Sequence, residues 1–72
     1  MAIPQYAKVR VLSDRFASEG VSANTVGYVI ELHEDESGTA YEIEVMDEQG
    51  HTRALVVARE PELAILLEDA PS

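Results

Sequence analysis

The sequence predicts an all-β domain, a small barrel of five strands, and three observations predict it. Turn signals at Gly27, Gly38, Gly50 and Pro61 punctuate the chain at intervals of 10–12 residues. Runs rich in β-branched residues fill the intervals, the rhythm of short strands joined by tight turns. No window of ten or more residues carries the apolar stripe of an amphipathic helix.

The first strand is "AKVRVL", with Val9 and Val11 on one face and Lys8 and Arg10 on the other. A long irregular loop, "SDRFASEGVSANT", follows; Phe16 and Val21 are its expected anchors in the core. "GYVIELHE" is the second strand. Its alternation sends Tyr28, Ile30 and Leu32 inward and Val29, Glu31 and His33 outward. "DESG" closes a hairpin onto "AYEIEVM", where Tyr41, Ile43 and Val45 point in and Glu42, Glu44 and Met46 point out. That turn pairs Leu32 with Tyr41 and Ile30 with Ile43. It also sets Glu31 beside Glu42, and like charges directly opposite destabilise a sheet. Lys8 and Arg10 are the expected compensation if the first strand neighbours the second.

"DEQG" turns into "HTRALVVA", with Gly50 as the left-handed residue after a type I turn. A three-residue loop puts Leu55 and Val57 inside, opposite Ile43 and Tyr41, and Ala54 and Val56 outside. A four-residue loop reverses those faces. Burial of the larger side chains favours the first. Arg53 and Arg59 flank "ALVVA" as guards against strand aggregation. "REPEL" forms a single 3-10 turn begun by Pro61, "AILL" is the last strand, and "EDAPS" is a polar tail. Five strands, a long loop after the first and a 3-10 turn before the last make an SH3-like barrel. Closure of such a barrel hides its strand edges.

The chain of 72 residues is expected to be one domain spanning 1–72, with its core at 8–67 and its tail at 68–72. A core this small supports a stability of ~3–5 kcal/mol. An apolar share of 46% fits a globular fold. Cysteine is missing from the composition, which removes disulfides and thiolate metal sites and suits a cytoplasmic protein. "MAIPQYAKVRVL" lacks the pattern of a signal peptide. "ALVVA" and "LAILL" are far short of the roughly 20 residues that span a bilayer.

The formal charge is −9, and it is unevenly spread. Residues 1–15 balance to +2, residues 16–52 carry nine carboxylates and no Lys or Arg, and residues 53–72 balance to −2. Such a stretch repels phosphate backbones, so no nucleic-acid partner is expected. Two readings of the acidic face stand: a solvated surface that aids solubility, or a surface that receives a partner.

The stretches "EGVSANTVGYVIEL" and "AYEIEVMDEQGHTRALV", with a closing "EL" after the Pro-acidic turn, resemble an uncharacterised bacterial family of small acidic SH3-like barrels, a domain of unknown function. The resemblance covers residues 8–67. Family members read Gly-Asp-Val-Gly where this chain has Asn24-Thr25-Val26-Gly27; Gly27 is kept. More distantly, "KVRVL…TVGYVIEL…VVAREPEL" is similar in layout to the small stromal barrel subunit of photosystem I, and its Val-Gly-x-Val step is similar to the KOW motif. These resemblances imply a fold and a habit of docking onto larger partners, with no catalytic residue. KOW modules that touch RNA are usually basic, and this chain is acidic.

Catalytic chemistry finds little support. His33 and His51 are the groups that titrate near neutrality, and both are expected at solvated strand ends. "HEDE" lacks the spacing of zinc or EF-hand loops, so neither a metal nor a cofactor is expected. "GVSAN" is not a nucleophile elbow, and carboxylates on an open strand face have nothing to split their pKa values. The expected function is non-enzymatic: an acidic barrel that docks a basic protein partner through Val29, Glu31, Glu42, Glu44, Met46 and Val56. One version is an antitoxin or immunity-type inhibitor whose carboxylates stand in for phosphates. The alternatives are a structural accessory subunit of a larger complex and a homo-oligomeric barrel.

Overall fold

The computed structural model describes residues 3–66. Five antiparallel strands make one sheet: β1 (Lys8–Val11), β2 (Val26–Asp35), β3 (Gly38–Met46), β4 (Thr52–Arg59) and β5 (Leu63–Ile65). Their order is β4-β3-β2-β1-β5, so β2 to β4 form a meander and β5 returns to the far side of β1. A 3-10 turn at Glu60–Glu62 joins β4 to β5, as expected from Pro61. The long loop after β1 holds a second 3-10 turn, Ala17–Glu19, that no sequence signal announced. Among the described residues no helix is long and apolar enough to cross a membrane. Leu67 and the tail at 68–72 lie outside the described residues.

The core gathers Val9 and Val11 from β1, Val29 from β2, Tyr41, Ile43 and Val45 from β3, Val56 and Ala58 from β4, and Leu63 from β5. Phe16 and Val21 anchor the long loop in it, as their apolar character predicted. The backbone N–H groups of Glu19 and Val21 both donate to the Phe16 carbonyl, at 2.9 and 3.1 Å, which curls the loop around that ring. Ile3 closes the core from the N-terminal side, its N–H donating to the Tyr41 hydroxyl at 3.0 Å.

Two bulges decide which side chains face the core. The hairpin at Asp35–Gly38 starts in the expected register, with Leu32 opposite Tyr41 and Glu31 opposite Glu42. The register then shifts between Val29 and Glu31, so that Val29 rather than Ile30 lies across from Ile43. Val29 is therefore buried, Ile30 is the half-buried extra residue and Tyr28 lies half-buried on the outer face, which corrects the expected alternation before the bulge; Leu32 keeps its expected place opposite Tyr41 but is exposed. The N-terminal segment holds this site. Gln5 Nε2 donates to the Ile30 carbonyl at 2.8 Å, and Tyr6 N and Val29 N exchange bonds with Val29 O and Ala7 O.

The β3–β4 turn also begins as predicted. Asp47 N donates to His51 O at 2.8 Å across a three-residue loop, and Gly50 has φ +83°. Met46 pairs with Thr52, but Val45 pairs with Ala54, which leaves Arg53 as an extra residue. That one-residue slip reverses every face beyond it. Val56 and Ala58 are buried opposite Ile43 and Tyr41, whereas Leu55 and Val57 are 48% and 52% exposed. The expectation that Leu55 and Val57 point inward is thus overturned. Arg53, Leu55, Val57 and Arg59 share one alternation, so turning the larger apolar pair inward would turn both guanidinium groups with them. Burying an unpaired charge costs far more than exposing two aliphatic side chains. Ala58, directly opposite Tyr41 in the ladder, brings only a methyl group to the core beside it.

Candidate functional site: the acidic outer face of the sheet

The outward positions of four strands make a continuous face. One row across it runs Lys8, Tyr28, Glu44, Leu55, and the next runs Glu31, Glu42, Val57. Beyond them His33, Ala40 and Arg59 form a third row near the hairpin tip. Val26 and Met46 are exposed at the other end. Exposed apolar side chains on this face therefore alternate with carboxylates, because the bulge at Arg53 sets Leu55 against Glu44 and Val57 against Glu42.

Of the residues expected to receive a partner, Glu31 and Met46 are exposed, and Glu42 and Glu44 are half-buried on the outer face. Val29 and Val56 are 0% and 3% exposed, packed in the core, and cannot touch a partner. Each lies just beyond a bulge, which explains why simple alternation placed it outside. Leu55, Val57, Val26 and Tyr28 take their places, and only the two bulges stood between the sequence and that assignment.

Among the described residues neither Lys8 nor Arg10 forms an ion pair with Glu31 or Glu42. His33, two residues along β2 from Glu31, is the side chain that meets both carboxylates: its Nε2 lies 3.7 Å from Glu31 Oε2 and 3.5 Å from Glu42 Oε1. These three donor atoms converge within 4.8 Å of one another, the one such group of three among the described residues. Glu44 accepts a hydrogen bond from the Thr52 hydroxyl. At the tip, Arg59 Nη2 meets Asp35 Oδ2 at 3.4 Å. The Asp35 carboxyl is held below its ordinary pKa by the Ser37 N–H and then by Arg59. His51 sits apart at the β3–β4 turn, 3.9 Å from Asp47. Among the described residues no enclosed pocket forms.

Arginines tie the long loop and the 3-10 turn to the rest of the molecule. Arg15 holds both carboxylate oxygens of Glu62, with Nη2 at 2.8 Å from Oε1, and also donates to the Val57 carbonyl at 3.2 Å. Its guanidinium carbon stands 4.1 Å from the centroid of the Phe16 ring, within cation–π range. Arg53 donates to the Gly20 carbonyl at 2.6 Å. The loop therefore lies along β4 through contacts made by β4's own bulge residue and carbonyl.

The sequence profile of a domain of unknown function (DUF4926) matches residues 6–65, from the N-terminal segment through β5. The chain belongs to this family. The match takes in every strand of the DUF4926 sheet and both bulges, so the outer face lies wholly within the family domain. No curated protein and no solved structure matches the chain.

Proposed function

We propose that this DUF4926 domain is a non-enzymatic docking module that receives a basic protein partner on the outer face of its sheet. The strand order, the long loop after β1 and the 3-10 turn before β5 support an SH3-like assignment. The observation that carries the docking proposal is the pairing of exposed Leu55 and Val57 with Glu44 and Glu42 across β4 and β3. Apolar side chains interleaved with one sign of charge offer desolvation to a partner and, around it, a field that attracts positive charge. An antitoxin or immunity-type inhibitor of a basic enzyme is one concrete form, in which the carboxylates replace phosphate groups.

The test is capture from extracts of the native cell on immobilised protein at several salt concentrations. The wild type is compared with Leu55→Ser/Val57→Ser and Glu42→Gln/Glu44→Gln variants. A basic protein retained by the wild type, released as salt rises and lost by both variants, supports docking. Partners that bind both variants as well as the wild type, or ignore salt, overturn it.

A further inference from the structure

We propose that Glu31, His33 and Glu42 form a three-ligand site for a divalent zinc-class ion, with the fourth position open to solvent. The site is assembled across strands. Residues i and i+2 of β2 project from the same face, and the residue opposite the first of them on β3 supplies the third ligand. Zinc bonds imidazole nitrogen and carboxylate oxygen at about 2.0–2.2 Å, which places neighbouring donors of a tetrahedral site roughly 3.4 Å apart. His33 Nε2 already stands 3.5 Å from Glu42 Oε1 and 3.7 Å from Glu31 Oε2. Small side-chain rotations bring all three onto one ion.

The charge arrangement supports a cation there independently of these distances. Glu31 and Glu42 are directly opposed, and among the described residues neither pairs with a Lys or Arg. Arg59, across Ala40 from His33, is engaged by Asp35 instead. Two carboxylates and a neutral imidazole bring a charge of −2 to match a dication. An imidazole donor favours zinc and its neighbours over magnesium or calcium, which prefer all-oxygen sites. No linear metal-binding motif marks the site, because the third ligand comes from the neighbouring strand through the hairpin register.

Full-chain protein without a histidine tag is titrated with Zn²⁺ by calorimetry and with Co²⁺ by visible absorption. The expected result is one equivalent bound, with Zn²⁺ displacing Co²⁺ and raising the thermal midpoint. His33→Lys keeps a cation between the glutamates but removes the nitrogen ligand, and is expected to weaken binding roughly tenfold or more. Glu42→Gln is expected to do the same, both variants remaining folded by circular dichroism, while His51→Gln leaves binding unchanged. Any of four results overturns the proposal: no saturable binding to the wild type, undiminished binding to His33→Lys, loss on His51→Gln, or equal competition by Ca²⁺.

Discussion

Arg15 in the long loop grips the carboxylate of Glu62 in the 3-10 turn through two guanidinium nitrogens, a contact between residues 47 positions apart. It fixes the loop to the turn that launches β5, and the same carboxylate accepts the Arg59 N–H at 3.0 Å. A bidentate pair of this geometry is stronger than an ordinary surface ion pair.

That pair makes stability depend on acid. Arg15, ahead of the Arg59 N–H, pulls the Glu62 carboxyl down from 4.5 to about 2. A depressed carboxyl contributes its full stabilisation above the unfolded value and loses it as pH falls toward the folded one. Between about pH 4.5 and 2 the domain is expected to lose roughly 1 kcal/mol through this group, after allowance for solvent screening. Urea unfolding across that window, compared with Glu62→Gln, checks it. The variant's curve is expected to lie lower at neutral pH and to converge with the wild type in acid.

Gly27 is irreplaceable for a reason of space. A Cβ there would stand 2.7 Å from both the Glu44 carbonyl oxygen and Ile43 Cγ2, and 3.3 Å from Val45 Cγ2. Backbone and core would have to move apart, so Gly27→Ala is expected to cost about 2–3 kcal/mol. Gly38→Ala, open on all sides but at φ +116°, is strained by backbone conformation alone. Thermal unfolding of the two variants separates crowding from backbone strain, with Gly27→Ala the less stable.

The faces of β4 are tested by neighbouring substitutions of opposite effect. Val56→Ala should cost about 1–2 kcal/mol, and Ala58→Leu about 1–3 kcal/mol by overfilling the core where Ala58 is fully buried opposite Tyr41. Leu55→Lys and Val57→Lys should change stability by about 0.5 kcal/mol or less. Denaturant midpoints that show the reverse ranking would return Leu55 and Val57 to the core.

Tyr41 tethers the N-terminal segment. Removing its hydroxyl by Tyr41→Phe leaves the buried Ile3 N–H without its acceptor, at a cost of about 1–2 kcal/mol. Amide exchange is expected to accelerate at Ile3 and Tyr6 before it does in β3.

Much of this was legible in the residues. The turn at Asp47–Gly50, the opposition of Glu31 and Glu42, the 3-10 turn at Pro61 and the anchoring by Phe16 and Val21 follow from local chemistry, which adjacent residues carry. The extra residues at Ile30 and Arg53 do not. A bulge is chosen by what the whole strand must bury and expose, here two arginines out and Ala58 opposite Tyr41 in the core, and no local signal marks it. Simple alternation sends Val29 and Val56 outward for that reason, whereas the Glu31–His33–Glu42 triangle needs only the hairpin register that the Asp35–Gly38 turn already implies, together with the side-chain conformations that bring the three donor atoms together.

The bulge at Arg53 has a further consequence for how this domain tolerates change. Losing or gaining a single codon between positions 54 and 58 would swap wet and dry sides along the end of β4, sending Leu55 or Val57 indoors along with an arginine. Shortening the strand at 53 itself would straighten the ladder and keep both faces, with loss of the Arg53–Gly20 hydrogen bond. Across relatives, strand length between the bulge and the 3-10 turn should therefore vary less than the residues that occupy it, with gaps collecting at one point.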